Sequence, residues 1–207
     1  MIKKIRDGIF KKKDEHIPIA YQPKLKICVS GAAETGHCLP NAEEKAEEIG
    51  RIIARKGMIL VTGATTGLPY WAAKGAKQEG GIVIGFSPAA SESAHVNSYH
   101  LPIDYHDVIV YTGFDYSGRN LILIRASDGI VTVCGRMGTL NEFTIAYEDH
   151  KPQGVLTNSG GTTEMIQEII NVSHRGQGKV IFDSDPSALI DKLVAVIEKD
   201  KKGKYAN

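Results

Sequence analysis

The stretch "VTVCGRMGTLNEF", residues Val131–Phe143, runs from a strand into a glycine-bearing turn and then into a helix, and its reading sets the class of fold. With Gly129 and Ile130 ahead of it, the strand is apolar on consecutive residues instead of alternate ones, so both of its faces are covered. Gly135 and Gly138 break the extended run, and a helix follows to about Asp149. A strand buried on both faces that hands over directly to a helix is the repeating unit of a parallel sheet.

The same unit recurs on either side. "KICVS" (Lys26–Ser30) precedes a helix from about Asn41 to Lys56, which carries Ala42, Ala46, Ile49 and Ile53 on one face, with Asn41 as cap and Gly57 as stop. "MILVT" (Met58–Thr62) leads into the small-residue helix "LPYWAAKGAKQ", and "GIVIGF" (Gly81–Phe86) is a third strand. "DVIVY" (Asp107–Tyr111) precedes a segment around Tyr116–Ala126, and "QGVLT" (Gln153–Thr157) a helix from Thr163 to about His174. "KVIFD" (Lys179–Asp183) and a helix from Pro186 to Lys199 close the series. The expected fold is α/β: a single Rossmann-like domain over residues 25–199, with a doubly wound, mostly parallel sheet of about seven strands. Residues 1–24 read as a basic N-terminal arm and residues 200–207 as a frayed tail. Ser87–His106 has neither period and is expected to be one long connection.

Bulk numbers narrow the function. The 207 residues carry a net charge of +1, which gives no overall reason to bind nucleic acid or an anionic membrane. The first 26 residues hold eight basic side chains against Asp7, Asp14 and Glu15, a balance of +5 that leaves −4 for the rest. No segment approaches the roughly 18 uninterrupted apolar residues of a spanning helix, and no secretory leader is read. The expectation is a cytoplasmic protein whose Cys28, Cys38 and Cys134 are reduced thiols, since they are odd in number and lack metal-type spacing.

Three turns that follow strands suit a ligand crevice, which in an open parallel sheet lies beyond the carboxyl ends of the strands. They are "SGAAETG" (Ser30–Gly36), "TGATTG" (Thr62–Gly67) and "CGRMGT" (Cys134–Thr139). Gly31, Gly63, Gly67, Gly135 and Gly138 let the backbone approach an anion, and free N–H groups at the next helix start supply donors. Neither G-x-G-x-x-G nor G-x-x-x-x-G-K-[ST] is present, so the dinucleotide fingerprint and the NTPase phosphate loop are both missing.

Read together, "SGRN" (Ser117–Asn120) and the 131–143 stretch resemble the LOG (LONELY GUY) family. These are the cytokinin-activating nucleoside 5′-monophosphate phosphoribohydrolases, and they belong to a wider superfamily of Rossmann-like nucleotide-binding proteins. The family pattern is an arginine opening a helix, then a strand, then P-G-G-x-G-T-x-x-E. Here Arg119 opens the helix and "CGRMGTLNE" aligns without a gap, so that Glu142 takes the last position; 142 minus 119 gives the family's spacing of 23. "VTGATTGLPYWAAKGA" is similar to the family's first glycine element, and the likeness spans about Lys26–Leu156. Cys134 replaces the proline, Arg136 the second glycine and Asn120 the hydrolases' lysine, while Ala64 and Pro69 depart from the first element. These departures look more like the branch that includes a molybdenum-cofactor carrier protein.

The resemblance implies a nucleoside monophosphate or related phosphorylated small molecule as partner. It implies hydrolysis of the N-glycosidic bond to free base and ribose 5-phosphate, with Arg119 and Glu142 catalytic. The alternative is a non-catalytic nucleotide or molybdopterin-type cofactor carrier. No resident cofactor, metal, nucleic acid or membrane is expected, and a homodimer is implied.

Chemically, Glu142 suits stabilisation of an oxocarbenium-like state or orientation of water, and otherwise a helix-start glutamate favoured by the dipole. Arg119 suits phosphate, or holding Glu142 ionised, or a plain helix cap. Gly135, Gly138 and Thr139 are the phosphate contacts, with Arg136 as a further donor or as a residue that reshapes the loop. Asn120 joins the nucleotide-binding set. Asp115 and Tyr116 suit a base or ribose, or Asp115 a helix cap. His95, His100 and His106 share no helical face, and His37 beside Cys38 is no better as a metal site, so none is expected.

Overall fold

A computed structural model describes residues 23–204, so the expected basic arm lies outside the described residues except for its last two positions. Among the described residues, seven strands alternate with seven α-helices. In chain order these are β1 (Lys26–Gly31), α1 (Ala42–Arg55), β2 (Ile59–Thr62), α2 (Leu68–Gln78), β3 (Ile82–Ser87) and α3 (Glu92–Asn97). Then come β4 (Val108–Tyr111), α4 (Asp115–Ala126), β5 (Gly129–Gly135), α5 (Met137–Glu148) and β6 (Gln153–Gly161). A 3₁₀ turn (Thr162–Met165), α6 (Ile166–Ser173), β7 (Val180–Asp183) and α7 (Pro186–Lys204) complete the chain. No described helix is long and apolar enough to cross a membrane.

The sheet order is β4-β3-β2-β1-β5-β6-β7, and every neighbouring pair is parallel. The chain builds outward from β1 to the β4 edge, then returns to lay β5 on the other side of β1. That reversal opens a crevice between the carboxyl ends of β1 and β5, where doubly wound sheets hold their ligands. Both sheet faces are covered, as the consecutive apolar runs require. Ile27, Val29, Leu60, Val131 and Val133 pack under α1, α2 and α7, while Cys28, Val61 and Ile130 face Leu123, Ile124 and Ala146 of α4 and α5. β4 is the exception: Val108 is 52% and Val110 39% exposed at the sheet edge.

Three local expectations are corrected. The Ser87–His106 connection contains α3, capped by Ser91, whose hydroxyl accepts from the Ala94 N–H. Its His95 is fully buried, with Nδ1 against the Ser87 hydroxyl at 2.8 Å and Nε2 against the Pro102 carbonyl at 3.0 Å, so one polar ring anchors a segment with little apolar period. Asn41 stands at the N-cap of α1 but makes no side-chain capping bond. The last helix continues to Lys204, through most of what reads as a tail.

Helices α1 and α2 meet backbone to backbone. A Cβ on Gly50 of α1 would overlap the Ala72 carbonyl of α2, and one on Gly75 would overlap the Glu47 carbonyl of α1. Alanine raises helix propensity by about 1 kcal/mol over glycine, yet here the steric cost exceeds that gain. Gly50→Ala and Gly75→Ala are each expected to lower stability by about 2 kcal/mol or more, read as a lower urea midpoint at unchanged slope; an unchanged or raised midpoint contradicts the contact.

Candidate functional site

At the β1–β5 crevice lies a cavity of ≈ 460 Å³. Its walls come from the end of β1 and the residues after it (Val29 to Ala33), the turn after β2 (Gly63 and Thr65) with Pro69 of α2, the first turns of α4 (Tyr116, Arg119 and Asn120) and the start of α5 (Arg136 to Thr139, with Glu142). The cation and the acid that stand 23 residues apart in the chain thus line the same space.

Arg119 is 4% exposed. Its Nη1 donates to the Gly63 carbonyl and to the Phe86 carbonyl (3.0 Å), so the guanidinium lies against the ends of β2 and β3. A Cβ on Gly63 would overlap Nη1 and displace the guanidinium from this position. The Arg119 Nε has no hydrogen-bond partner among the described residues, and its Cζ lies 5.8 Å from the Tyr116 ring centroid. Burial lowers the guanidinium's proton affinity, and the charge of Glu142 works against that.

Glu142 sits in the second turn of α5, 7% exposed, and accepts from the Ser30 hydroxyl. Burial pushes its carboxyl above the usual glutamate range, opposed by the Arg119 charge and by the Ser30 hydrogen bond. Neighbouring Asn120 is 3% exposed; its Nδ2 donates to Asn141 Oδ1 at 2.9 Å, while its own Oδ1 has no partner. A buried, unpaired acceptor in a cavity wall costs about 1–3 kcal/mol unless something donates to it, which a ligand N–H or O–H would do.

Gly31, Gly63, Asn120, Arg136, Gly138 and Thr139 all line the cavity. A Cβ on Gly138 would meet nothing within 4 Å, so the fold leaves that space free over the helix start. Gly67 and Gly135 stand one layer behind. Gly67 has φ 71° and lies against the Ala32 carbonyl, and Gly135 lies against Thr139 and Thr162. Asp115 stands apart from the lining at the first position of α4, with φ 50°, and accepts from the Tyr99 hydroxyl; Phe114 takes the N-cap. Arg136 is extended backbone (φ −124°, ψ −163°) and pairs with Glu34 at 2.6 Å on the cavity rim. The left-handed turn falls instead on Cys134, with φ 26°, and on Ala64, with φ 50°.

Sequence alone does not pair Ser30 with Glu142; its one signal is a polar residue closing an apolar strand beside a glycine. His106 is also engaged, with Nε2 2.8 Å from the Thr62 hydroxyl and Nδ1 2.8 Å from the Asp104 carbonyl. The expectation of three reduced thiols is overturned: Cys38 and Cys134 form a disulfide, leaving Cys28 as a free, buried thiol. The pairing was hidden in the sequence because the two cysteines are 96 residues apart.

A family model for the SLOG cluster4 family matches residues 24–190. The chain belongs to the SLOG cluster4 family. This is a LOG-like group, in agreement with the resemblance carried by Arg119 and Glu142. An uncharacterized protein of Archaeoglobus fulgidus is 30% identical over 127 residues, which is 61% of this chain and 78% of that one. Among solved structures, the molybdenum cofactor binding protein of Rippkaea orientalis is similar at TM-score 0.70 and 27% identity, covering 86% of this chain and 99% of its own. The molybdenum cofactor carrier protein of Chlamydomonas reinhardtii is similar at TM-score 0.66 and 30% identity, covering 83% of this chain and 99% of its own. Nucleotide or cofactor binding is the function this family membership and these likenesses support.

A carboxyl with a raised pKa binds its proton more tightly in the folded than in the unfolded chain, so its contribution to stability falls as pH rises through the interval between the two values. Glu142→Gln lacks that titration. The stability difference, wild type minus Glu142→Gln, should decline with rising pH above the ordinary glutamate range and level off beyond the raised value. The expected total is about 1.4 kcal/mol for each unit of elevation. Urea titrations over a pH series check this, and an increase would mean that Arg119 and Ser30 outweigh burial.

Proposed function

We propose that this chain is a binding and carrier protein for a phosphorylated small molecule of the nucleotide or pterin-cofactor class, held at the carboxyl edge of its sheet. The observation that carries the reading is the open space over Gly138, at a helix start that faces a cavity of ligand size. The N–H groups of that first turn and the Thr139 hydroxyl meet the phosphate. Arg136 supplies a mobile cation, since an exposed ion pair with Glu34 is weak enough to be exchanged. The unpaired Asn120 Oδ1 accepts from a ring N–H or a hydroxyl, and Tyr116, Pro69 and Met137 offer apolar surface to a flat ring.

Carriage is favoured over hydrolysis by the state of the two charged groups. Arg119 spends Nη1 on two backbone carbonyls, and burial works against the charged form of Glu142 that would stabilise an oxocarbenium-like state. The second reading, phosphoribohydrolase, is supported by the placement of Glu142 itself. A ligand that brings Arg119 Nε into play and lowers the Glu142 pKa would make it competent. As an enzyme the chain would release free base and ribose 5-phosphate. The homodimer implied by the family resemblance is retained as part of the proposal; light scattering would then give twice the 22.5 kDa of one chain.

Three measurements separate the readings. Incubation with AMP and other monophosphates at high protein concentration should give no free base by chromatography. Release that Glu142→Gln abolishes, with affinity kept within several-fold, would establish the hydrolase. Gly138→Ala should fold at least as stably as wild type, yet bind a monophosphate about tenfold or more weakly by calorimetry; undiminished affinity would remove the phosphate site from that turn. Protein purified from a host that makes molybdenum cofactor should carry molybdenum and pterin fluorescence, and neither should survive in Gly138→Ala.

A further inference from the structure

Beside the cavity, on the far side of β5 from Glu142, three metal-ligating side chains converge: His37 and Cys38 from the loop after β1, and Cys134 from the end of β5. One donor atom from each lies within 4.8 Å of the others, and His37 Nε2 is 3.7 Å from Cys134 Sγ. Tetrahedral zinc, with Zn–S of about 2.3 Å and Zn–N of about 2.0 Å, places a sulfur and a nitrogen ligand about 3.5 Å apart and two sulfurs about 3.8 Å apart. The imidazole and Cys134 already hold that spacing. Only the two sulfurs, joined in the disulfide, must separate, and small side-chain rotations suffice because their Cα atoms are 5.7 Å apart.

The frame around the three residues is held without the S–S bond. The Cys38 N–H donates to the Thr35 carbonyl at 2.9 Å, and Leu39 N–H to the Ser159 carbonyl at 3.0 Å. Cys134 N–H donates to the Ser159 hydroxyl at 2.9 Å, and the Cys134 carbonyl accepts from Ala32 at 2.8 Å. Cys38 also bridges Gly160. Reduction therefore leaves two sulfurs and a ring nitrogen pinned close together, with His37 exposed and Cys134 buried, so that a metal has a way in from solvent and a dry inner side. The neighbours His37 and Cys38 make no site alone; the third ligand comes from 96 residues away.

We propose that in its dithiol form this cluster is a binding site for a thiophilic metal, zinc(II) in the first instance, held by two thiolates and the His37 imidazole. The fourth position is left to water or an incoming ligand. The disulfide is the metal-free alternative, since bonded sulfurs have no thiolate charge to give. The two states interconvert through a disulfide co-reactant such as oxidised glutathione. One protein thiolate attacks it to give a mixed disulfide, and the second thiolate displaces the remaining glutathione. The protein pair is oxidised by two electrons, two glutathione thiolates leave, and zinc(II) departs unchanged in charge. Bound metal would tie the loop after β1 to the residue preceding Gly135.

The test uses the full chain, reduced by a phosphine under anaerobic conditions, loaded with zinc and freed of excess metal. Elemental analysis should find one zinc per chain, and cobalt(II) in its place should show a thiolate-to-metal charge-transfer band. Cys38→Ser should lose both. His37→Ala, at an exposed position that leaves the fold intact, should weaken zinc at least tenfold and shift the cobalt spectrum. Treatment with oxidised glutathione should release the zinc and lower the thiol count of the denatured chain from three to one. A reduced wild type that retains no more zinc than Cys38→Ser, or whose affinity and cobalt spectrum do not respond to His37→Ala, overturns the proposal.

Discussion

The parallel pairing of β1 with β5 is the constraint on which everything else rests. Its register, Ile27 opposite Gly129 through Gly31 opposite Val133, joins strands a hundred residues apart in the chain. It sets Ser30 under the helix that carries Glu142, brings the turn after β1 against the start of α5, and leaves Cys38 beside Cys134. A parallel pair of this kind needs crossover helices and both-face coverage, which the consecutive apolar runs supply. The cavity is the gap left where successive crossovers go in opposite directions.

Within the cavity the chain holds two ionisable groups in a setting that suits neither. Burial acts against the charged form of Arg119 and of Glu142 alike, and each group's field partly restores the other. Two backbone carbonyls and one serine hydroxyl supply their hydrogen bonds, while Arg119 Nε and Asn120 Oδ1 are left unpaired among the described residues. Unpaired buried polar atoms concentrated in one wall are expected where a ligand is to complete the pairing. Gly138, at the start of α5, leaves room in the same cavity over a helix start.

Much of this was legible in the sequence, for physical reasons. Strands covered on both faces are apolar on consecutive residues, and the half-exposed edge strand β4 keeps such a run, so all seven stand out, with glycine turns marking the carboxyl ends of β1, β2 and β5. The spacing of Arg119 to Glu142 carried the site through family resemblance, since nothing local distinguishes either residue from a helix cap. What stayed hidden depends on which distant segments meet. Ser30 acquires its role only from β5 being its neighbour, and Cys134 its partner only from the loop after β1. Gly50 and Gly75 look like weak points of helices and are in fact the surfaces on which two helices touch. Asp115 suited a ligand by type, but the start of α4 places it apart from the lining and gives its carboxylate to Tyr99.

That glycine contact has a mechanical consequence. Helices joined through side chains can slide by exchanging rotamers, but carbonyls seated directly on α-carbons have no such slack. Helices α1 and α2 therefore behave as one stiff plate. Any opening of the crevice on the β1 side therefore moves both helices together, and draws on the loop after β1 and on the turns at the ends of α1 and α2 alike.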